Sequence, residues 1–225
     1  IWSPDVYQGA PTPITAFMAT GVKVASFVML IRIALTGVFE GSDAFVDVLQ
    51  LLAVLSILIG TLGALRQLNF KRLLAYSSIA HSGYLLIGVL TVAVSPTPQK
   101  ALTAVLFYLI TYAVVTIGTF AIVSLYEKSE NATLLVDDLK GLAYRRPRLA
   151  FGLTVLLLSV AGIPPMAGFF AKLYMFSAAV DMGFFWPVIW AVVGSVIGVV
   201  YYLRPIVHMY MHEPAAYFDE PTKYP

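Results

Sequence analysis

Six stretches of this chain run for twenty or more residues with very little charge: 14–38, 45–65, 73–94, 101–125, 149–180 and 187–210. Crossing about 30 Å of hydrocarbon takes about 20 helical residues, so each stretch is long enough to span a bilayer. The spacing therefore predicts six transmembrane helices. The fifth run is too long for one straight crossing. It carries GIPP at Gly162 to Pro165, and Pro164 and Pro165 lack the N–H groups that would bond the carbonyls of Val160 and Ala161. Carbonyls freed at membrane depth are tolerated only inside protein or beside a wet cavity, which predicts a broken helix with an ordinary proline kink as the alternative.

Composition agrees with a lipid solvent. Hydrophobic residues make up 60% of the chain and charged residues 12%, against about one quarter charged in ordinary soluble domains. The net charge of +2 is too small to attract nucleic acid, and the basic residues sit in short clusters between apolar runs. With no cysteine, the chain has no disulfide, thiol nucleophile or cysteine-ligated iron–sulfur cluster. It carries no glycine-rich dinucleotide fingerprint, Walker loop or hydrolytic triad.

Loop charge sets an expected orientation. Arg66, Lys71 and Arg72 fall on one side, and Lys128, Lys140, Arg145, Arg146 and Arg148 return to it two crossings later. The other side holds Lys100, Glu40, Asp43 and Asp181, with Arg32 near a helix end. The positive-inside rule places the basic side, residues 1–13 and the tail 211–225 in the cytoplasm. Residues 1–13 read as an interhelical loop, so a longer N-terminal part is expected upstream.

The ionisable residues inside the runs are the functional candidates. Lys23 and Lys172 lie deep in their runs, with no acidic residue in either run. Intramembrane charge is costly and marks a functional site by default. Desolvation disfavours the charged form of an amine, which suits a group that picks up and releases protons. Lys23 has Ala16, Ala19, Thr20, Ser26 and Phe27 at helical spacing, a small and partly hydroxylated face that predicts an inward direction. A structural lysine held by backbone carbonyls is the alternative. Lys172 lies two turns beyond the broken segment, and Gly168 leaves space one turn away. His81, beside Ser77, Ser78 and Tyr84, reads as a relay or as a satisfied core histidine. Imidazole titrates near neutrality, which suits the relay. Tyr108, Thr111 and Tyr112 fall on one broad face, able to order a water chain or to bond neighbouring helices.

Other polar residues carry less. Arg32 and Arg204 sit near helix ends, where long basic side chains snorkel. His208 and His212 share a helix face but lack a third ligand, so no metal site is expected. Asn131 to Thr133 form a glycosylation sequon without meaning in a cytoplasmic loop.

The blocks PDVYQGAPTPITAF, VKVASF, LRQLNFKRLLAYSSIAHSGYLLIG, LSVAGIPPMAGFFAKLYMF and SVIGVVYYLRP resemble the antiporter-like subunits of proton-pumping NADH:quinone oxidoreductase, respiratory complex I. The form PDVYQGAP and the lysine in GFFAKLY are closer to the subunit N branch than to subunits M or L. The resemblance implies an all-α, polytopic transmembrane bundle of six spans, one of them broken, forming half of an inverted-repeat fold. Residues 14–38 would be the last helix of a first repeat, and 45–210 a complete five-helix second repeat. Lys23 would match the central-axis lysine, Lys172 the broken-helix lysine, and His81 the polar linker between them. The family's further glutamate and lysine would lie upstream of Ile1. The resemblance also implies that this chain binds no cofactor, with NADH, FMN, iron–sulfur clusters and quinone held by partner subunits. Its partners would be other membrane subunits of the complex and the lipid, in a bacterial inner membrane.

The implied mechanism is electrostatic. Two unit charges about 7 Å apart at an effective dielectric of about 20 repel by about 2.4 kcal/mol, enough to push a proton from one amine to the next. Protons would reach Lys23 from the cytoplasmic side through His81, and Lys172 would exchange them with the periplasm. A secondary cation/proton antiporter and a purely structural membrane subunit stay open as other readings.

Overall fold

The computed structural model describes residues 2–37, 43–126 and 134–214. Outside this set lie Val38, Glu40, Lys128, the Asn131 to Thr133 sequon and the tail beyond Pro214. The described residues form helices α1 (Ser3–Gly9), α2 (Thr12–Phe17), α3 (Lys23–Ala34), α4 (Asp43–Leu65), α5 (Phe70–Val94), α6 (Pro98–Ser124), α7 (Leu142–Arg145), α8 (Pro147–Ala161), α9 (Ala167–Asp181) and α10 (Phe185–Met211). A π-helical segment, Met18–Val22, joins α2 to α3, and a 3-10 turn, Val136–Leu139, precedes α7.

Five continuous helical stretches are long and apolar enough to cross a membrane: Thr12–Ala34, α4, α5, α6 and α10. The sixth crossing is made in two pieces. Helices α8 and α9 have 15 residues each, about 22 Å apiece at 1.5 Å per residue. Neither reaches across alone. The break expected at GIPP is therefore present: α8 closes on Gly162 and α9 resumes at Ala167.

Local chemistry sets the helix boundaries. The side chain of Asn69 caps α5 by accepting from the Arg72 amide at 3.0 Å. Helices α6 and α8 begin on Pro98 and Pro147, where the missing N–H removes nothing. Helix α5 is the most enclosed of the spans, packing against α4, α6, α10, α3 and α1. Its approach to α4 is close because a Cβ on Gly60 would lie 2.4 Å from the Ala80 nitrogen, and one on Gly83 2.5 Å from the Ala53 oxygen. Large apolar side chains such as Ile110, Ile189 and Val196 point outward, as lipid-facing positions do.

The two ends of the bundle differ in chemistry. At one end Arg72 pairs with Asp5 at 2.5 Å, the Val136 amide donates to the Leu68 carbonyl at 2.8 Å, and the Gly141 amide donates to the His208 carbonyl at 3.0 Å. The basic loops read as sharing one side do meet there. At the opposite end Lys100 pairs with Asp181 at 2.5 Å. Two local expectations need correction. Residues 3–9, read as loop, form α1, which buries Tyr7. Lys71, read as an interfacial loop cation, is only 1% exposed and donates to the Ala10 carbonyl at 3.0 Å. Desolvating its stem while satisfying its head accounts for this placement.

Candidate functional site

The ammonium groups of Lys23 and Lys172 are both held by neutral groups. The Lys23 ammonium donates to the Ser78 carbonyl at 2.6 Å, to Ser78 Oγ at 2.5 Å and to the Tyr112 hydroxyl at 3.2 Å. It also lies 4.6 Å from the centre of the Tyr112 ring, a favourable cation–π separation. The expected inward direction is the observed one. The π segment ends one residue before Lys23. Such a segment inserts an extra residue into the turn and rotates the helix downstream of it. No feature of the sequence announced it.

Lys172 sits at the break. Its ammonium donates to the Ala161 carbonyl at 2.8 Å, the Val160 carbonyl at 3.1 Å and Ser195 Oγ at 2.9 Å. The two carbonyls are those that Pro164 and Pro165 leave without helical donors. The backbone makes room by two glycines. Gly162 adopts φ 84° and ψ 41°, and a Cβ there would meet Lys172 Nζ at 3.0 Å. A Cβ on Gly168 would lie 1.8 Å from the Ser159 oxygen, so α9 can start against α8 only with glycine at this position. Tyr84 presents its ring 5.5 Å from the Lys172 ammonium.

His81, 3% exposed, lies between the two nests. Its Nδ1 is 2.5 Å from the Tyr108 hydroxyl and its Nε2 is 3.3 Å from the Tyr202 hydroxyl. Tyr202 in turn makes a short contact with Ser77. The Tyr112 hydroxyl donates to Ser78 Oγ at 3.1 Å, joining the Lys23 nest to α6.

A small cavity, lined by His81, Tyr108, Thr111, Tyr112, Ser159 and Lys172 among others, offers about 20 Å³ to water centres. That is room for a single water. All three members of the Tyr108, Thr111 and Tyr112 face expected from sequence line it. A second space, about 260 Å³ between α9 and α10, reaches Lys172 from the outer side past Ser195 and Val199.

Sequence reasoning missed Ser159, Ser195 and Tyr202. Serine in an apolar helix ordinarily bonds its own backbone four residues back, so nothing in one sequence marks the serine that does otherwise. His208 and His212 stack with ring centres 4.8 Å apart, and among the described residues no group of three or more metal-binding side chains forms. Arg204 reaches the Leu65 carbonyl at 3.5 Å.

Comparison with known proteins places this arrangement. Residues 1–198 match the family model described as NADH:quinone oxidoreductase/Mrp antiporter, TM. The chain is 56% identical over 212 residues to NADH-quinone oxidoreductase subunit N of Bdellovibrio bacteriovorus, covering 94% of this chain and 44% of that protein. It superposes on a chain of respiratory complex I from Thermus thermophilus with TM-score 0.80 at 37% identity, covering 95% of this chain and 45% of that one. A chain of the Mrp complex from Dietzia sp. gives TM-score 0.83 at 28% identity, covering 95% and 39%. The chain thus spans less than half the length of the relatives it matches. By its helices, its broken crossing and these matches, the chain belongs to the NADH:quinone oxidoreductase/Mrp antiporter family of transmembrane proteins.

Proposed function

We propose that this chain forms the proton-conducting half of a subunit N-type membrane subunit of NADH:quinone oxidoreductase, with quinone reduction and its cofactors in other subunits. The observation that carries this reading is the continuity of the polar core. Lys23, Ser78, Tyr112, a cavity with room for one water, His81 with Tyr108, and Lys172 succeed one another with no carboxylate among them. A proton on one amine raises the cost of a proton on the other by Coulomb repulsion in a poorly screened interior. Loading Lys23 therefore tends to unload Lys172. Bacterial relatives support an inner-membrane location, and the basic end of the bundle, with both chain ends, would then face the cytoplasm.

The test is Lys172→Ala in the full-length subunit within its complete complex, reconstituted in vesicles. Proton translocation should be lost or strongly reduced, and undiminished pumping per electron would overturn the proposal. The likeness to an Mrp complex supports a second reading, a cation/proton antiporter subunit. Cation-driven proton exchange in vesicles lacking a redox arm would favour it.

A further inference from the structure

His81 is the meeting point of three helices, and its two nitrogens face different partners. On α6, the Tyr108 hydroxyl lies 2.5 Å from Nδ1 and borders the cavity shared with Lys172. On α10, the Tyr202 hydroxyl lies 3.3 Å from Nε2, is not part of the lining of that cavity, and contacts Ser77 Oγ more closely than it does the imidazole. Ser77 precedes His81 by one helical turn on α5 and shares its face. All four side chains are buried.

A neutral imidazole has one N–H donor and one lone-pair acceptor, so one of the two tyrosines must donate and the other accept. A phenol is a stronger acid than an aliphatic alcohol. In the close Ser77–Tyr202 contact either hydroxyl can be the donor, and the serine oxygen offers the phenol an acceptor other than the imidazole for its single hydrogen. With that hydrogen on the serine, the Tyr202 oxygen is left to accept from Nε2–H. Nδ1 becomes the acceptor and receives the Tyr108 O–H. The two separations agree: O–H to nitrogen from an acidic phenol makes the shorter contact and N–H to oxygen the longer one.

We propose that Ser77 and Tyr202 are positioning residues that hold His81 with its hydrogen on Nε2 and its lone pair on Nδ1, aimed at Tyr108 and the cavity. This deepens the relay reading and rests on it. In the step it serves, Tyr108 passes its hydroxyl hydrogen to Nδ1 while its oxygen takes a proton from a donor in the cavity. The imidazolium so formed then gives the Nδ1 hydrogen back to the Tyr108 oxygen as Tyr108 passes its own hydroxyl hydrogen to a different acceptor bordering the cavity, which leaves His81 neutral with its hydrogen still on Nε2. With the other tautomer, Nδ1 already carries hydrogen and the step is blocked until the ring exchanges protons.

The experiment uses the full-length subunit in its complex, in coupled vesicles. Ser77→Ala removes the acceptor, lets Tyr202 donate to Nε2 and reverses the tautomer. Proton-coupled turnover should fall about tenfold, below the usual contribution of a positioned proton donor, and its solvent deuterium isotope effect should rise. Ser77→Thr keeps the hydroxyl and should behave as the parent. If Ser77→Ala assembles poorly, Tyr202→Phe leaves Nε2 without its partner and the tautomer unfixed rather than reversed; turnover should fall by less than about tenfold, and a parental rate and isotope effect would overturn the role. A Ser77→Ala complex with parental rate and isotope effect, beside a Lys172→Ala complex that has lost pumping, overturns the tautomer role alone. An equal fall in both serine variants with an unchanged isotope effect overturns it in favour of packing. Lys172→Ala pumping like the parent overturns the relay reading itself.

Discussion

The Lys172 ammonium lies 2.8 Å from the Ala161 carbonyl oxygen and 3.1 Å from that of Val160. A side chain on α9 thereby supplies the two donors that Pro164 and Pro165 cannot give to α8. The same amine serves the backbone and the conduction path, so its two roles can be separated. Lys172→Met keeps most of the volume and removes the donors. It should destabilise the α8–α9 junction by about 3 kcal/mol, since two buried carbonyls lose their partners. Amide exchange at Gly162 and Ile163 should accelerate as pumping is lost.

At Lys23 the serine acceptor is nearer than the tyrosine, 2.5 Å against 3.2 Å. Ser78→Ala should therefore impair proton translocation more than Tyr112→Phe, which keeps the ring facing the ammonium. A difference of about threefold corresponds to less than one ordinary hydrogen bond. Initial pumping rates of the two variants in matched vesicles decide the order, and a larger defect in Tyr112→Phe would contradict it.

Gly168 is where α9 passes the Ser159 carbonyl. Adding one methyl, Gly168→Ala, puts a carbon 1.8 Å from that oxygen, and the backbone must move. Overpacking of this kind costs about 2 kcal/mol or more. The apparent Tm of the solubilised complex should drop, and Lys172 should lose its seat with it. A variant with parental Tm and pumping would show that the two helices have slack.

The Asp137 carboxyl is held below the usual carboxylate range, chiefly by its hydrogen bond with Lys140, whose ammonium is 3.2 Å away, with a smaller contribution from the positive charge of Lys140 and from His208. A depressed folded-state value means that the contribution to loop docking is complete above about pH 4, the unfolded value, and is lost as pH falls through the lowered one. The pair is largely solvent-exposed, so the effect is local and modest. Amide exchange at Gly141, which donates to the His208 carbonyl, should become faster than intrinsic chemistry explains only below that range. Asp137→Asn should show the faster exchange already at neutral pH.

Much of the fold was legible in the sequence for plain reasons. Helical spans of about 20 residues leave long apolar runs, and adjacent prolines at 164 and 165 remove specific hydrogen bonds wherever they stand. The depth of Lys23 and Lys172 within their runs was equally visible. Helix α1 was not, because seven residues, with Pro4 among them and Pro11 just beyond, carry too short a pattern to distinguish from a loop. Nor was the burial of Lys71, since a lysine at a helix start looks the same whether its head meets water or the Ala10 carbonyl.

The sequence by itself determined that this chain lives in lipid, how many times it crosses, where one crossing breaks and which amines are stranded at depth, because these are consequences of hydrophobic run length and backbone chemistry. Only the tertiary structure decided that Ser78 and Tyr112 receive Lys23, that Ser195 completes the Lys172 nest, and that Tyr202 stands behind His81. Those meetings join residues tens of positions apart, and their partners are set by helix rotation and close packing, neither of which a linear pattern records.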